Sequence, residues 1–494
     1  MMRARWSTQL SPSVRDTQGR QAQLQADAGT INRAESPRLL ARILRTQTQA
    51  GINSGSDHAC FNTRDSRSAE RALGRAAPLA APVIRAAIFD LDDTLLDSRA
   101  LFEARERREW NVVMAGLDSV VPFEVAEGQP AITSLPKAAR ERDLAVGIVT
   151  HSPEHYADAL LRRHKIKVDE MVTGSDRLPA KPDPTGLITV ARALQIDPAE
   201  CVYVGDSVGD FGAAAAAGMT SIGVSWNKRI PESWRHGWPD IAVDRPTRLI
   251  EALEEVPGLS PIGEAVAAGE EPVPHWGSLL QLGASTLALG RYFQWGDRRY
   301  PEHALSRLII DAKEDERRQE DLSRAFAALE ILRFTNLPAL IASVPPAPED
   351  PGDRFTTTRA AVANVFGAAD RGGLLHMNYA VEDYKQTPRS QRAAMVRDRF
   401  EVTENLDGER VILIDDVLTS GSQARACREA LTTAGAGGVT ILTAGVTQNP
   451  LPESCPACGE EYGGQVKVKR NSQTGEQFRG CSRFWQGCHW SEDL

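Results

Sequence analysis

An apolar run, Val83-Ile84-Arg85-Ala86-Ala87-Ile88-Phe89, stops on two carboxylates, Asp90 and Asp92, placed two residues apart. Such a run reads as a buried strand. Open parallel sheets hold ligand-binding groups at the carboxyl ends of their strands, and paired acids directly after a strand fit that position. Leu144 to Val149 and Cys201 to Val204 read as two more strands, with helical patterns between them at Glu154–His164 and Pro184–Leu194. Strands alternating with helices predict a parallel sheet with helices on both faces. This first domain spans 84–255.

The pattern fades after Leu253, and 256–275, rich in Pro, Gly, Glu and Ala, reads as a linker. A second α/β stretch covers 276–448. Its strands are expected at Leu340–Val344, Gly373–Met377, Val411–Ile414 and Val439–Ala444, its helices at Pro301–Asp311, Glu320–Ile331 and Gln423–Thr433. Pro450 and Pro452 set off a small module, 453–494. The fold class is therefore α/β, with two doubly wound parallel-sheet domains and a small C-terminal unit. That count suits a chain of 494 residues.

Residues 1–80 are rich in Arg, Ser, Gln and Thr, without apolar periodicity, and read as a disordered tail. They lack the apolar segment of a secretory signal. Their arginine excess admits an organellar transit peptide as the other reading. A formal net charge of −9 opposes retention on nucleic acid by bulk charge. No run of about 20 apolar residues predicts a membrane span. Four of the seven cysteines, Cys455, Cys458, Cys481 and Cys488, crowd into the last forty residues. That spacing points to a metal site and a reducing, cytoplasmic setting. Four thiolates suit tetrahedral Zn²⁺ in a structural role, and so short a module needs the metal's binding energy to fold.

Phosphoryl transfer needs a nucleophile, charge neutralisation at the phosphoryl oxygens and a proton donor for the leaving oxygen. The segment Asp90-Leu91-Asp92-Asp93-Thr94 supplies acids for all three. Together with Ile148-Val149-Thr150, Lys181-Pro182 and Val204-Gly205-Asp206-Ser207-Val208-Gly209-Asp210, it resembles the haloacid dehalogenase-like phosphohydrolases in motif order and spacing. The resemblance implies that Asp90 attacks phosphorus and becomes an aspartyl-phosphate. Asp92 would protonate the leaving group and then activate water. Thr150 and Lys181 would hold phosphoryl oxygens. It implies a Mg²⁺ site at Asp90, Asp92, Asp206 and Asp210, with Asp206, Asp90 and the Leu91 carbonyl as ligands and Asp210 in support. Roughly thirty residues, Ser98 to Glu127, are free to form a cap, including a charged helix from Ala100 to Trp110. Such a minimal cap suits a large or loosely held phosphate ester. His151, beside Thr150, admits a tuning role or none.

The stretch Val411-Ile412-Leu413-Ile414-Asp415-Asp416-Val417-Leu418-Thr419-Ser420-Gly421-Ser422 repeats the logic: strand, paired acids, small-residue loop, helix. Backbone N–H groups of such a loop and helix start favour a phosphate. It resembles the PRPP loop of type I phosphoribosyltransferases. Weaker likeness at Leu289-Gly290-Arg291-Tyr292, Leu305–Lys313 and Thr387–Arg399, with Ser390-Gln391, points to the ComF-type branch. The resemblance implies that Asp415 and Asp416 hold ribose hydroxyls, and that Thr419, Ser420, Gly421 and Ser422 cradle the 5′-phosphate. The pyrophosphate loop would follow Val344 at Pro345-Pro346. There Glu349, Asp350 and Asp353 oppose an anion unless a metal or Arg354 compensates. Lys385, Arg389, Arg392 and Arg397 are candidate phosphate contacts or a solvated helix face.

The C-terminal module, with Phe478-Arg479-Gly480-Cys481-Ser482-Arg483-Phe484, resembles the zinc ribbon of bacterial type I topoisomerases. His489 is an alternative fourth ligand to Cys488. Lys467, Lys469, Arg470, Phe484, Trp485 and Trp490 could contact single-stranded nucleic acid or serve only packing. Two functions follow as expectations. The first is a phosphatase, using Mg²⁺ and structural Zn²⁺, that takes a small phosphate ester or PRPP-type metabolite in nucleotide processing, with phosphoribosyl transfer as a second activity. The alternative is a nucleic-acid end phosphatase with a PRPP-sensing or DNA-binding module.

Overall fold

In the first domain, strand β1 (Ala86–Phe89) sits at the centre of a six-stranded sheet. Its neighbours are β2 (Ala145–Val149), β3 (Glu170–Val172), β4 (Cys201–Gly205), β5 (Thr220–Val224) and β6 (Ile241–Val243), in the order β3-β2-β1-β4-β5-β6. Every pairing is parallel. Side chains of a strand alternate between faces, and both faces here are covered. Ala87 and Phe89 enter one core, while Ala86 and Ile88 enter another on the opposite side. This explains why β1 reads as a continuous apolar run rather than an alternating one. The strand starts at Ala86, later than expected, and Val83 is exposed.

The computed structural model describes residues 83–226, 230–254, 259–332, 338–348, 352–379, 399–471 and 475–493. The expected tail 1–80, the stretch 387–398, Lys385, Arg389, Arg392, Arg397, Glu349 and Asp350 lie outside them. No helix among the described residues is long and apolar enough to cross a membrane.

The second domain has a seven-stranded sheet. It contains β7 (Leu280–Gln281), β8 (Thr286–Ala288), β9 (Arg291–Tyr292), β10 (Leu340–Ser343) and β11 (Ala369–Asp370). Further along lie a hairpin pair, β12 (Leu375–Met377) and β13 (Phe400–Val402), then β14 (Arg410–Leu418) and β15 (Gly438–Thr447). The order is β11-β10-β14-β15-β8-β7, with β9 also on β15, and only β7 with β8 is antiparallel. The run expected as a core strand near Gly373 instead forms β12, which pairs antiparallel with β13 away from the main sheet. Its alternating pattern has His376 exposed between the buried Leu375 and the partly buried Met377.

Two departures bear on function. Within 256–275, where composition predicts a linker, Ile262–Ala268 is a helix, and Ile262 packs in a core of the second domain with Leu289, Leu305 and Phe326. Glu264 on that helix binds Arg291, so an apparent linker closes an ion cluster. The cap is two short helices, Phe102–Glu106 and Trp110–Ala115, in place of one continuous helix. Arg108 between them adopts φ +57°, which an α-helix does not allow.

The two domains share one apolar core. Phe211, Trp234 and Trp238 of the first pack in the same cluster as Leu413, Leu418, Ala424 and Val446 of the second. Trp234 stands edge-on to Phe211 and to Trp238, at 5.0 and 5.7 Å between ring centroids. The C-terminal module is a three-stranded antiparallel sheet, Val466–Arg470, Gln477–Cys481 and Ser491–Asp493.

Candidate active site

The carboxyl ends of β1 and β4 are adjacent, and this places Asp90 beside Asp206 and Asp210. One oxygen of each lies within 4.8 Å of the others. Lys181 enters from the loop before the helix Thr185–Ala193. Its Nζ donates to Asp90 Oδ1 at 2.8 Å, to Asp210 Oδ1 at 2.7 Å and to the Val149 carbonyl at 3.3 Å. Tyr203 OH, 2.9 Å from the same Nζ, also touches Asp210 Oδ1 at 3.2 Å. The other Asp210 oxygen caps the helix Val208–Ala217, accepting from Ser207 N and Oγ at 3.0 and 2.6 Å. Both Asp210 oxygens are thus engaged, which suits support better than direct ligation.

Burial dominates the electrostatics. It raises the Asp90 carboxyl well above the usual carboxylate range, against the pull of Lys181. It raises Asp206 to about 7, helped by the negative charge of Asp210. Burial also opposes the charge on Lys181, but Asp210 and Asp90 outweigh it and hold the ammonium. Ionising all three acids around one ammonium would leave surplus negative charge in a desolvated pocket, and a hard divalent cation fits that donor set by offsetting it. Asp90 and Asp206 would hold it, with Asp210 behind them.

Asp92 points elsewhere. Its Oδ1 accepts from Tyr156 OH and pairs with Arg105 Nη1, both at 2.8 Å, and its Oδ2 accepts from Ser152 Oγ at 2.6 Å. The converging acids are Asp90, Asp206 and Asp210, and Asp92, which the resemblance included in the Mg²⁺ site, is not among them. Thr150 is buried at the end of β2, its Oγ1 accepting from Ser152 N at 3.1 Å. His151 has a structural part: its Nε2 accepts from Lys181 N at 2.9 Å, and burial with Lys181 nearby lowers its pKa. Arg105, Ser152, Tyr156 and Tyr203 escaped sequence reading. Tyr156 and Tyr203 sit among apolar neighbours in helix and strand patterns, where an aromatic ring reads as core.

On β14 the acids fall inside the strand, which runs on to Leu418. Asp416 Oδ2 pairs with Lys313 Nζ at 3.0 Å and Arg354 Nη2 at 3.1 Å. Burial opposes its charge, yet Arg354 and Lys313 hold its pKa below the ordinary value. Burial and the Asp416 charge push Asp415 up to about 8. Ser420 Oγ lies 3.0 Å from Ser422 Oγ, and Gly421 takes φ +69° before the helix Ser422–Thr433. Thr419, partly buried, precedes them. Asp353, one of the acids counted against an anion here, is neutralised by the buried Arg359, Nη1 to Oδ2 2.6 Å.

Cys455, Cys458, Cys481 and Cys488 converge with sulfurs within 4.8 Å of one another; Cys455–Cys488 is 3.9 Å and Cys458–Cys481 3.5 Å. Four converging thiols fit a tetrahedral thiophilic ion. His489 instead packs edge-on against Phe484, at 4.9 Å. The module lies on the loop that carries Lys181. Gln486 Nε2 donates to the Arg177 carbonyl at 2.7 Å, Gln465 Nε2 to that of Pro182 at 3.5 Å, and Thr185 Oγ1 to that of Tyr462 at 3.3 Å. The Tyr462 ring sits near two guanidiniums, Arg192 at 4.4 Å and Arg483 at 4.9 Å. Trp485 is 88% exposed at the module's surface. Lys469 is committed internally, its Nζ donating to the Cys481 carbonyl at 2.6 Å.

Residues 123–218 match the haloacid dehalogenase-like hydrolase family. The chain is 33% identical over 132 residues to a phosphoglycolate phosphatase of Pseudomonas fluorescens (strain Pf0-1), covering 26% of this chain and 46% of the relative. It is 28% identical over 213 residues to one of Xanthomonas campestris pv. campestris (strain 8004), covering 34% and 95%. The chain thus spans about half the length of the Pseudomonas relative. A HAD-superfamily hydrolase of subfamily IA from Geobacter sulfurreducens PCA superposes with a TM-score of 0.26 at 20% identity, covering 34% of this chain and 99% of that one.

Proposed function

We propose that this chain is a Mg²⁺-dependent phosphatase acting through an aspartyl-phosphate, a reading supported by its match to the haloacid dehalogenase-like hydrolase family. The second domain would bind PRPP or a related phosphoribosyl compound. The observation that carries the phosphatase reading is the junction of Asp90, Lys181, Asp206 and Asp210 at the ends of β1 and β4. Asp90 attacks phosphorus, and the P–O bond to the leaving group breaks as Asp92 gives that oxygen a proton. Asp92 then takes a proton from water, whose oxygen displaces Asp90 and releases phosphate. Lys181 and Thr150 hold the phosphoryl oxygens. Mg²⁺, when bound, supplies the charge that lets an anionic nucleophile meet an anionic substrate.

The structural support for a phosphoribosyl ligand is the pairing of Asp416 with Lys313 and Arg354. These two cations offset the negative charge of the paired acids, which alone would repel an anion. Zn²⁺ would brace the C-terminal ribbon through its four cysteines. The cap's brevity leaves the ester's identity to other contacts, and phosphoglycolate, named for the relatives, is one ester to assay. The alternative, an end phosphatase for single-stranded nucleic acid, draws on the exposed Trp485 beside the Lys181 loop.

The test is pyrophosphate release from PRPP and Mg²⁺ with a panel of nucleobases. Wild type is compared with Asp416→Asn, and Asp90→Asn separates phosphatase action on PRPP. Base-dependent release lost in Asp416→Asn identifies a transferase and its acceptor. Absence of both release and Asp416-dependent PRPP binding overturns the reading of the second domain.

A further inference from the structure

Loop 419–422 belongs to the second domain, but it is not finished by that domain alone. A side chain at Gly421 would meet Arg235 Nη2 at 3.1 Å and Arg425 Nη1 at 3.3 Å, so two guanidiniums lie against this one glycine. Arg425 is on the helix that follows the loop, its Nη2 3.5 Å from Ser422 Oγ. Arg235 comes from the first domain, in the 3₁₀ helix Glu232–His236. Its Nε is buried without a hydrogen-bond partner. Burial and the like charge of Arg425 both lower its pKa, against the exposed Glu232. Two cations pressed together beside hydroxyls and a helix start are repelled by each other and relieved by an anion.

The residue before Arg235 reaches the other site. Trp234 is fully buried, and its Nε1 donates to the Asp206 carbonyl at 2.9 Å. The segment is anchored on the second domain from both sides. Asn449 N donates to the His236 carbonyl at 2.7 Å, Gln448 Nε2 to that of Arg235 at 3.4 Å, and Trp238 N to Gln448 Oε1 at 2.7 Å. Adjacent residues of one short helix thus touch the phosphate loop of one domain and a metal-site residue of the other.

We propose that Arg235 of the phosphatase domain completes the phosphate cradle of the second domain, and that a sugar phosphate bound there adjusts the metal site through Trp234 and Asp206. The second domain then acts as a sensor that sets the phosphatase. This rests on loop 419–422 being a phosphate cradle. By linkage, the factor by which the sugar phosphate changes Mg²⁺ affinity equals the factor by which Mg²⁺ changes sugar-phosphate affinity.

The experiment uses the full chain and the 5-phosphonate isostere of ribose 5-phosphate, whose C–P bond resists hydrolysis. Calorimetry measures probe affinity for wild type, Ser422→Ala, Arg235→Gln and Arg235→Lys, and Mg²⁺ affinity with and without saturating probe. Ser422→Ala and Arg235→Gln are each expected to weaken the probe at least about tenfold, with Arg235→Lys recovering part. The probe is expected to change the Mg²⁺ dissociation constant at least about threefold in wild type and not in Arg235→Gln. Trp234→Phe, which keeps a ring and removes the donor, should bind the probe normally and lose its effect on Mg²⁺. Circular dichroism checks that each variant is folded. Equal probe affinity in Arg235→Gln and wild type, with Ser422→Ala weakened, overturns this inference alone. Mg²⁺ affinity indifferent to bound probe overturns the coupling. A wild type that binds no probe overturns the phosphate cradle itself.

Discussion

Arg105 Nη1 lies 2.8 Å from Asp92 Oδ1, so the cap reaches into the site and grips the carboxylate expected to move protons. Tyr156 and Ser152 hold the same group from the other side. A carboxylate with three partners is oriented before any substrate arrives, and orientation of a proton donor raises the rate of the step that uses it.

Arg105→Gln is therefore expected to lower kcat for a small aryl phosphate about tenfold while leaving KM within about twofold, because the loss falls on the transition state. Steady-state kinetics separate the two. A raised KM with unchanged kcat would place Arg105 in ground-state substrate binding instead.

Asp90→Asn should reduce phosphate release by at least about a thousandfold, since the amide cannot form the acyl-phosphate. The fold should persist, because Lys181 keeps Asp210 as its partner. Phosphate release and thermal unfolding monitored together test this. Full activity on every ester assayed would exclude Asp90 as the nucleophile.

Arg291 is buried between Glu264, 2.7 Å away, and Asp240 of the first domain. Burial opposes both carboxylates, but Arg291 holds their pKa values below the ordinary range. A depressed folded pKa gives stability that is present above the unfolded pKa, about 4, and is lost as pH falls toward the folded value. Arg291→Met should cost about 2–3 kcal/mol near pH 7, because the buried Glu264 loses its guanidinium while keeping His303, and the partly exposed Asp240 keeps only Ser221. That difference should shrink below about pH 4 as the acids protonate. Urea unfolding of both proteins between pH 3 and 7 measures it. A pH-independent difference would mean that Arg291 acts through packing alone.

Loss of the Zn²⁺ proposed at the four cysteines should reach the phosphatase site, because Gln465 and Gln486 hold the loop around Lys181. Cys458→Ser is expected to lower zinc content well below one ion per chain, expose 453–494 to protease and reduce kcat about tenfold. Metal analysis, limited proteolysis and phosphate release are read on one preparation. A metal-free, protease-sensitive ribbon with unchanged kcat would show that the loop stands without it.

Much of the site is legible in sequence because its parts are local. Asp90, Thr150 and Asp206 each follow an apolar run that must be a strand, and strand ends are where a parallel sheet binds. The cysteine spacing likewise foretells convergence of four sulfurs. Arg105 was hidden in a charged cap helix that singles out none of its residues, and Tyr203 in a strand that reads as pure core. The helix Ile262–Ala268 was hidden in a composition typical of linkers, and its burial comes from neighbours distant in sequence.

By itself the sequence determined the periodicities, the strand ends, the cysteine pairs and the small-residue loop after Asp415 and Asp416, because each depends on residues within a few positions of one another. Only the tertiary structure decided that Asp92 turns from the cluster of Asp90, Asp206 and Asp210 toward Arg105, that the C-terminal module rests on the Lys181 loop, and that Trp234 and Arg235 join the two domains. Those relationships link residues tens to hundreds of positions apart. They are selected by which apolar faces pack together, and the core shared by Phe211, Trp234 and Leu418 sets the one between the two domains.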